Sequence, residues 1–132
     1  MQDCLFCKIM KGEIPAKTIY EDEIAKVFMD INPTNNAHLL IVPKTHQENI
    51  LDIDKNFITH AVTLIREQLY PLLKEKLDCK GLTIVQNNLY GQEVKHFHIH
   101  LIPRYENDEY KDTSNKDLLE DIDVIYQKLT EK

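Results

Sequence analysis

Histidine alternates with apolar residues along His96-Phe97-His98-Ile99-His100-Leu101-Ile102. Laid out as a β-strand, the segment sends all three imidazoles to one face and Phe97, Ile99 and Leu101 to the other. A half-buried strand ordinarily fills its polar slots with Thr, Lys or Glu. Three consecutive slots filled by the side chain that titrates near neutral pH point to chemistry. Two chemistries are open. A neutral imidazole is a nucleophile when its second nitrogen is held as a donor, and three imidazoles can hold a catalytic metal. Cys4 and Cys7, three residues apart, are a second reactive pair. With two histidines they can supply a tetrahedral Cys2His2 set, which suits zinc, whereas a redox Cys-x-x-Cys would need a βαβ context that this pattern lacks. Cys79 stands alone and is expected to be inert.

The elements that must position these groups follow from length and patterning. At 132 residues, 42% hydrophobic and 29% charged, the chain reads as one domain, 1–132. It can hold a real core and is small enough for a complete active site to need a second subunit. No apolar run approaches a bilayer span. Met1-Gln2-Asp3-Cys4 lacks the basic-then-apolar pattern of a secretory leader, so the cytoplasm is the expected compartment. A net charge of −6 argues against broad nucleic-acid binding, which needs a basic surface, while leaving a single nucleotide open. Residues 17–22 and 24–29 read as a hairpin, 30–36 as an exposed loop rich in turn formers, and 37–42 as a strand buried on both faces and closed by Pro43. Residues 55–77 read as the main amphipathic helix, with Ile58, Val62, Ile65, Leu69 and Leu72 on one stripe and a kink or early end at Pro71. Gly81 releases the chain into a strand at 82–86. A turn at 87–91 leads into the histidine strand, which Pro103 terminates. From Ser114 onward a cap, early acidic residues, and Lys128 and Lys132 late predict a second helix. His60, on the main helix, is assigned no role.

The whole pattern resembles the histidine triad (HIT) family, whose signature of three histidines alternating with apolar residues is matched throughout 96–102. Cys4-Leu5-Phe6-Cys7-Lys8-Ile9, Gly12-Glu13-Ile14-Pro15, Asp30-Ile31-Asn32-Pro33, His38, Pro43-Lys44-Thr45-His46 and Gly91-Gln92 follow the family's order and approximate spacing. The resemblance covers residues 4–105. The tail, 106–132, matches only as a variable C-terminal helix. It implies an α+β fold, an antiparallel five-stranded sheet with a main helix and a C-terminal helix, two such sheets being joined in a homodimer.

The same resemblance implies site roles. His98 would attack the α-phosphorus of a nucleotide and form a nucleotidyl-histidine that water then hydrolyses, with His100 and His38 beside the phosphate. Asp30 would bind the ribose hydroxyls. Leu5, Phe6, Ile9, Phe28 and Ile31 would clamp the base, and Asn87, Gln92 and Glu93 would meet the phosphates or the leaving group. Cys4, Cys7, His46 and His96 would ligate a structural Zn2+, a closed site with no open position for substrate. Purine nucleoside 5′-phosphoramidates or adenylyl conjugates are the expected substrates, with dinucleoside polyphosphates as an alternative. The chain departs from the family at Glu93, where many phosphoramidase-type members carry a small hydroxyl residue, in its glycine-poor 87–90 turn, and in having no tryptophan-bearing motif after Arg104. A three-histidine metalloenzyme and a nucleotide-binding interaction protein are the competing readings. Loss of metal on mutating His98 would favour the former, and a turnover assay across nucleotide conjugates would expose the latter.

Overall fold

The computed structural model describes residues 3–111 and 114–131; the readings placed on Met1, Gln2 and Lys132 lie outside them. Short β-rich runs separated by turn formers give strands β1 (Thr18–Glu21), β2 (Ala25–Met29), β3 (Leu39–Pro43), β4 (Gly81–Val85) and β5 (Ile99–Arg104). They form one antiparallel sheet in the order β1-β2-β3-β5-β4. The period-2 alternation divides its apolar residues between two layers. Ala25, Val27, Leu39, Ile41, Ile99 and Leu101 pack with the main helix. Phe28, Leu40 and Val42 pack on the other side with Phe6 and Ile9. These last two come from a six-residue helix, α1 (Leu5–Met10), capped by Cys4. Sequence patterning alone leaves this region a short undefined segment. A helix this short is marginal alone, and tertiary packing of one apolar face sustains it.

The main helix begins where the Asp54 side chain accepts the Asn56 N–H at 2.8 Å and runs as α2 (Lys55–Leu64), a π-type turn (Ile65–Leu69) and α3 (Tyr70–Leu77). Pro71 neither ends it nor leaves it regular. The turn before the proline widens, Tyr70 N–H bonding to the Ile65 carbonyl, which accommodates the ring and the missing donor. The widening also rotates the buried stripe. The core takes Phe57, Ala61, Leu64, Leu69 and Leu73, with a spacing of five across the π turn, while Val62 is 46% exposed. Asp78, in the left-handed region at φ 55°, ends the helix after Leu77, the end expected from the sequence.

Three strand boundaries also differ from expectation. β3 starts at Leu39, leaving His38 on the loop behind Ala37, itself at φ 64°. β5 starts only at Ile99, so His96 and His98 precede the ladder and His100 alone of the three lies in it. Pro103 lies inside β5 rather than ending it. Beyond Leu101 that side of β5 has run past its β3 partner, so no ladder donor is needed there, and the Pro103 carbonyl accepts from Asn35 Nδ2 at 3.0 Å. The tail helix, α4 (Ile122–Thr130), is capped by Asp121 instead of Ser114, after a 3-10 turn at Lys116–Leu118.

Candidate active site and metal centre

The alternation of the triad survives although only its last member is in the strand. Phe97 joins the helix-side core, and the rings of His96 and His98 meet the edge or face of Phe6 at 5.8 and 4.9 Å between centroids. The imidazoles are not an exposed strip. His96 is 0% and His98 6% exposed. Each therefore needs hydrogen-bond partners, and these partners fix its tautomer.

His98 Nδ1 lies 2.7 Å from the His96 carbonyl. A carbonyl only accepts, so Nδ1 carries the hydrogen and Nε2 keeps a free lone pair. His100 is set by a longer chain. The Thr34 backbone N–H donates to His38 Nδ1 at 3.0 Å, which makes His38 Nε2 the protonated nitrogen. That nitrogen donates to His100 Nδ1 at 2.9 Å, leaving His100 with its hydrogen on Nε2. The structure thus places a bare nitrogen on His98 beside an N–H on His100, with ring centroids 5.0 Å apart. Thr34 is a contributor that the sequence does not reveal, because it acts through its backbone and no side-chain pattern marks it.

Burial holds these imidazoles neutral. It pushes His98 below its ordinary value of 6.5, against the opposing hydrogen bond to the His96 carbonyl and the charges of Asp30 and Glu93. His100 falls to about 4, from burial first and then from His98 and His38. His38 is lowered by burial despite Asp30. The Asp30 carboxylate spans both of its anticipated uses. Oδ1 accepts the Asn32 N–H at 2.8 Å, an Asx turn, while Oδ2 lies 3.6 Å from His38 Nε2 and 3.8 Å from His100 Nδ1.

The remaining anticipated substrate contacts separate. Phe6, Ile9 and Phe28 are closed into the α1-side core, whereas Leu5 is exposed and Ile31 is 89% exposed. The five do not form one wall. The Gln92 side chain, expected toward the phosphates or the leaving group, is engaged within the protein. It is buried, its amide donates to the carbonyls of Glu48 and Val94, and its oxygen accepts the Leu89 N–H. Its amide hydrogens are consumed in tying the β4–β5 loop to the segment after β3. That tie, with Lys95 Nζ on the carbonyls of Leu89 and Gln92, holds Leu89 at φ 62° beside Gly91 at φ 93°. A non-glycine residue rarely adopts such a φ unless its surroundings impose it. Asn87 is half-buried and Glu93 exposed. His60 pairs with Asp22 at 2.6 Å on the helix side, and Cys79 is buried with its thiol on the Gly81 carbonyl, apart from the site.

Cys4, Cys7, His46 and His96 bring one donor atom each within 4.8 Å of one another. Cys7 Sγ is 3.2 Å from His46 Nδ1, Cys4 Sγ is 3.4 Å from His96 Nδ1, and the two Nδ1 atoms are 3.2 Å apart. His96 Nε2 donates to the Pro43 carbonyl at 2.8 Å, which leaves Nδ1 bare and turned into the cluster. Such a carbonyl behind a metal-ligating imidazole is the usual orienting contact. Burial and the neighbouring Cys4 sulfur hold the Cys7 thiol above its ordinary 9.0, a tendency that a bound dication reverses. Two sulfurs and two bare-capable nitrogens in tetrahedral number fit zinc.

The match to known proteins agrees with this geometry. Residues 11–107 match the HIT domain model, so the two cysteines lie ahead of the matched span. A HIT-like protein of Methanocaldococcus jannaschii is 46% identical over 107 residues, covering 80% of this chain and 81% of its own length. An adenosine 5′-monophosphoramidase of Saccharomyces cerevisiae is 38% identical over 103 residues, covering 76% of this chain and 62% of its own. The crystal structure of a zinc-bound histidine triad family protein from Mycobacterium smegmatis superposes with a TM-score of 0.76 at 30% identity, covering 88% of this chain and 87% of the other. With the domain match spanning the triad and the sheet, and relatives this similar over most of their length, the chain belongs to the HIT family.

Proposed function

We propose that this protein is a nucleotide hydrolase or nucleotidyl transferase that works through a covalent nucleotidyl-His98 intermediate. The observation that carries the reading is the hydrogen bond from His98 Nδ1 to the His96 carbonyl, which leaves Nε2 unprotonated and aimed away from the backbone. Nε2 attacks the α-phosphorus, and the bond to the leaving nitrogen or oxygen breaks as that atom takes up a proton. Water then displaces His98 and releases a nucleoside 5′-monophosphate. The Nε2 hydrogen of His100 is available to a non-bridging phosphate oxygen as negative charge builds there. Asp30 takes the ribose hydroxyls, and Leu5 and Ile31, the exposed members of the apolar set, line the base. Purine nucleoside 5′-phosphoramidates or adenylyl conjugates are the substrates. The phosphoramidase relative supports this class, and Glu93, whose charge reaches His98, favours a cationic leaving amine over a polyphosphate.

Cys4, Cys7, His46 and His96 would hold Zn2+, which when bound supplies a structural cross-link and no open coordination position. A homodimer formed through the open edge of β4 completes the assembly in the cytoplasm; sedimentation at twice the chain mass is the check. For the chemistry, His98→Ala should abolish turnover while leaving nucleotide binding within a few-fold, because it removes the covalent step alone. Substrate labelled at the α-phosphate should leave label on His98 after an acid-free quench. Label elsewhere, or an active variant, would refute the assignment.

A further inference from the structure

The metal cluster and the nucleophile share two connections. His96 contributes Nδ1 to the cluster while its backbone carbonyl accepts the Nδ1 hydrogen of His98 at 2.7 Å. Phe6 sits between the two cysteines in sequence, and its ring meets His98 edge-on at 4.9 Å and Phe28 at 5.6 Å. The anchor of α1 and the orientation of the catalytic imidazole are therefore set by the same few residues. Access is uneven across the cluster. Cys4 and Cys7 are part-exposed, whereas His96 is buried and Cys79, the third thiol, is buried elsewhere. Cys7 N–H reaches Cys4 Sγ at 3.4 Å, so the two sulfurs lie on one turn.

We propose that Cys4 and Cys7 form a peroxide-sensitive pair whose oxidation to a disulfide releases zinc and unseats the nucleophile. The inference rests on the zinc reading above. One thiolate attacks a peroxide oxygen, breaking the O–O bond and giving a sulfenic acid and hydroxide. The second thiolate attacks the sulfenic sulfur, forming the S–S bond and expelling a second hydroxide. The two sulfurs lose two electrons, the two hydroxides take up two protons to become water, and Zn2+ leaves because the thiolate ligands are gone. His46 and His96 alone are too few donors to retain it. Without the metal, the ligand link between α1 and His96 is gone and only the apolar contacts of Phe6 remain, so the Phe6 and carbonyl contacts of His98 loosen together.

The test uses the full chain with zinc bound, in a Cys79→Ser background that removes the third thiol. Hydrogen peroxide is titrated in while zinc release is followed with a chromogenic chelator. Disulfide position is mapped by peptide mass, and imidazole tautomers are followed by 15N spectra. The expected result is a Cys4–Cys7 disulfide with one zinc lost per disulfide formed and His98 passing from the Nδ1-protonated form to a mixture. Turnover should fall at least tenfold and return with a dithiol and added zinc. Zinc retained under peroxide, or a disulfide that leaves the His98 signal unchanged, would overturn the proposal. Protein that takes up no zinc would overturn it together with the zinc reading. Stoichiometric release with the tautomer change, in protein inactive toward every nucleotide tried, would support the redox pair while refuting the hydrolase reading.

Discussion

His98 and His100 are the same side chain with the hydrogen on opposite nitrogens, and backbone groups make the difference: the His96 carbonyl for one, the Thr34 N–H acting through His38 for the other. Two neighbouring imidazoles thereby divide into a lone-pair donor and a hydrogen donor without either being charged. Asp30 is the residue whose two uses can be separated. Its Oδ1 bond to Asn32 is structural, and any ribose contact adds a charge-assisted hydrogen bond worth about 1.5–3 kcal/mol. Asp30→Ala should therefore lower kcat/KM by roughly ten- to a hundredfold for a ribonucleotide conjugate and distinctly less for its 2′-deoxy counterpart. Equal losses for the two substrates would assign Asp30 to the loop alone.

At the scale of elements, the loop before β3 and the strand β5 meet through the His38–His100 pair, and that contact links stability to pH. His100 faces His38, Asp30 and His98, and its folded value of about 4 lies below its ordinary 6.5. Between those values the unfolded chain binds a proton that the folded one does not. Stability is then full above pH 6.5 and is lost as the pH falls toward 4. Urea midpoints measured from about pH 8 to about pH 5 should decline on the acid side, and His100→Gln should flatten the decline; an unchanged slope would show that His100 is not its source. The main helix offers a packing test. Leu69→Ala empties a fully buried position just before Pro71 and should cost about 2–5 kcal/mol. Val62→Ala, on the exposed side, should cost about 0.5 kcal/mol or less. Comparable losses would mean that the π turn does not set the buried stripe.

For the molecule as a whole, the N-terminal segment is held from two directions, by the apolar layer under α1 and by the cysteine-histidine cluster. A site that exists only in the fold adds its binding energy to folding. Removing zinc with a chelator should lower Tm by several degrees, readding it should restore Tm, and Cys4→Ser should make the protein insensitive to both treatments. An unchanged Tm in metal-free protein would refute a structural metal. The tail helix contributes little to this body. Its apolar residues Ile122, Tyr126 and Leu129 are exposed, as is Ile84 on the open β4 edge. Among the described residues, no helix is long and apolar enough to cross a membrane.

Local pattern by itself determines much of this protein. Strand alternation and the turn-rich loop at 30–36 depend on residues close in sequence, so the sheet and the main helix are legible there, whereas the set Cys4, Cys7, His46 and His96, whose members lie up to 92 positions apart, is legible only through the resemblance to the HIT family. What stays hidden depends on groups far apart in the chain. The tautomers of His98 and His100 come from backbone atoms of His96 and Thr34, and the face of the helix that is buried comes from a widened turn. The Gln92 amide looks like a substrate contact in sequence, yet Glu48, 44 residues away, claims it. Side-chain periodicity reports which residues are apolar. Which polar groups face one another, and so which nitrogen carries a hydrogen, is decided only when distant backbone is buried together and every donor must find an acceptor.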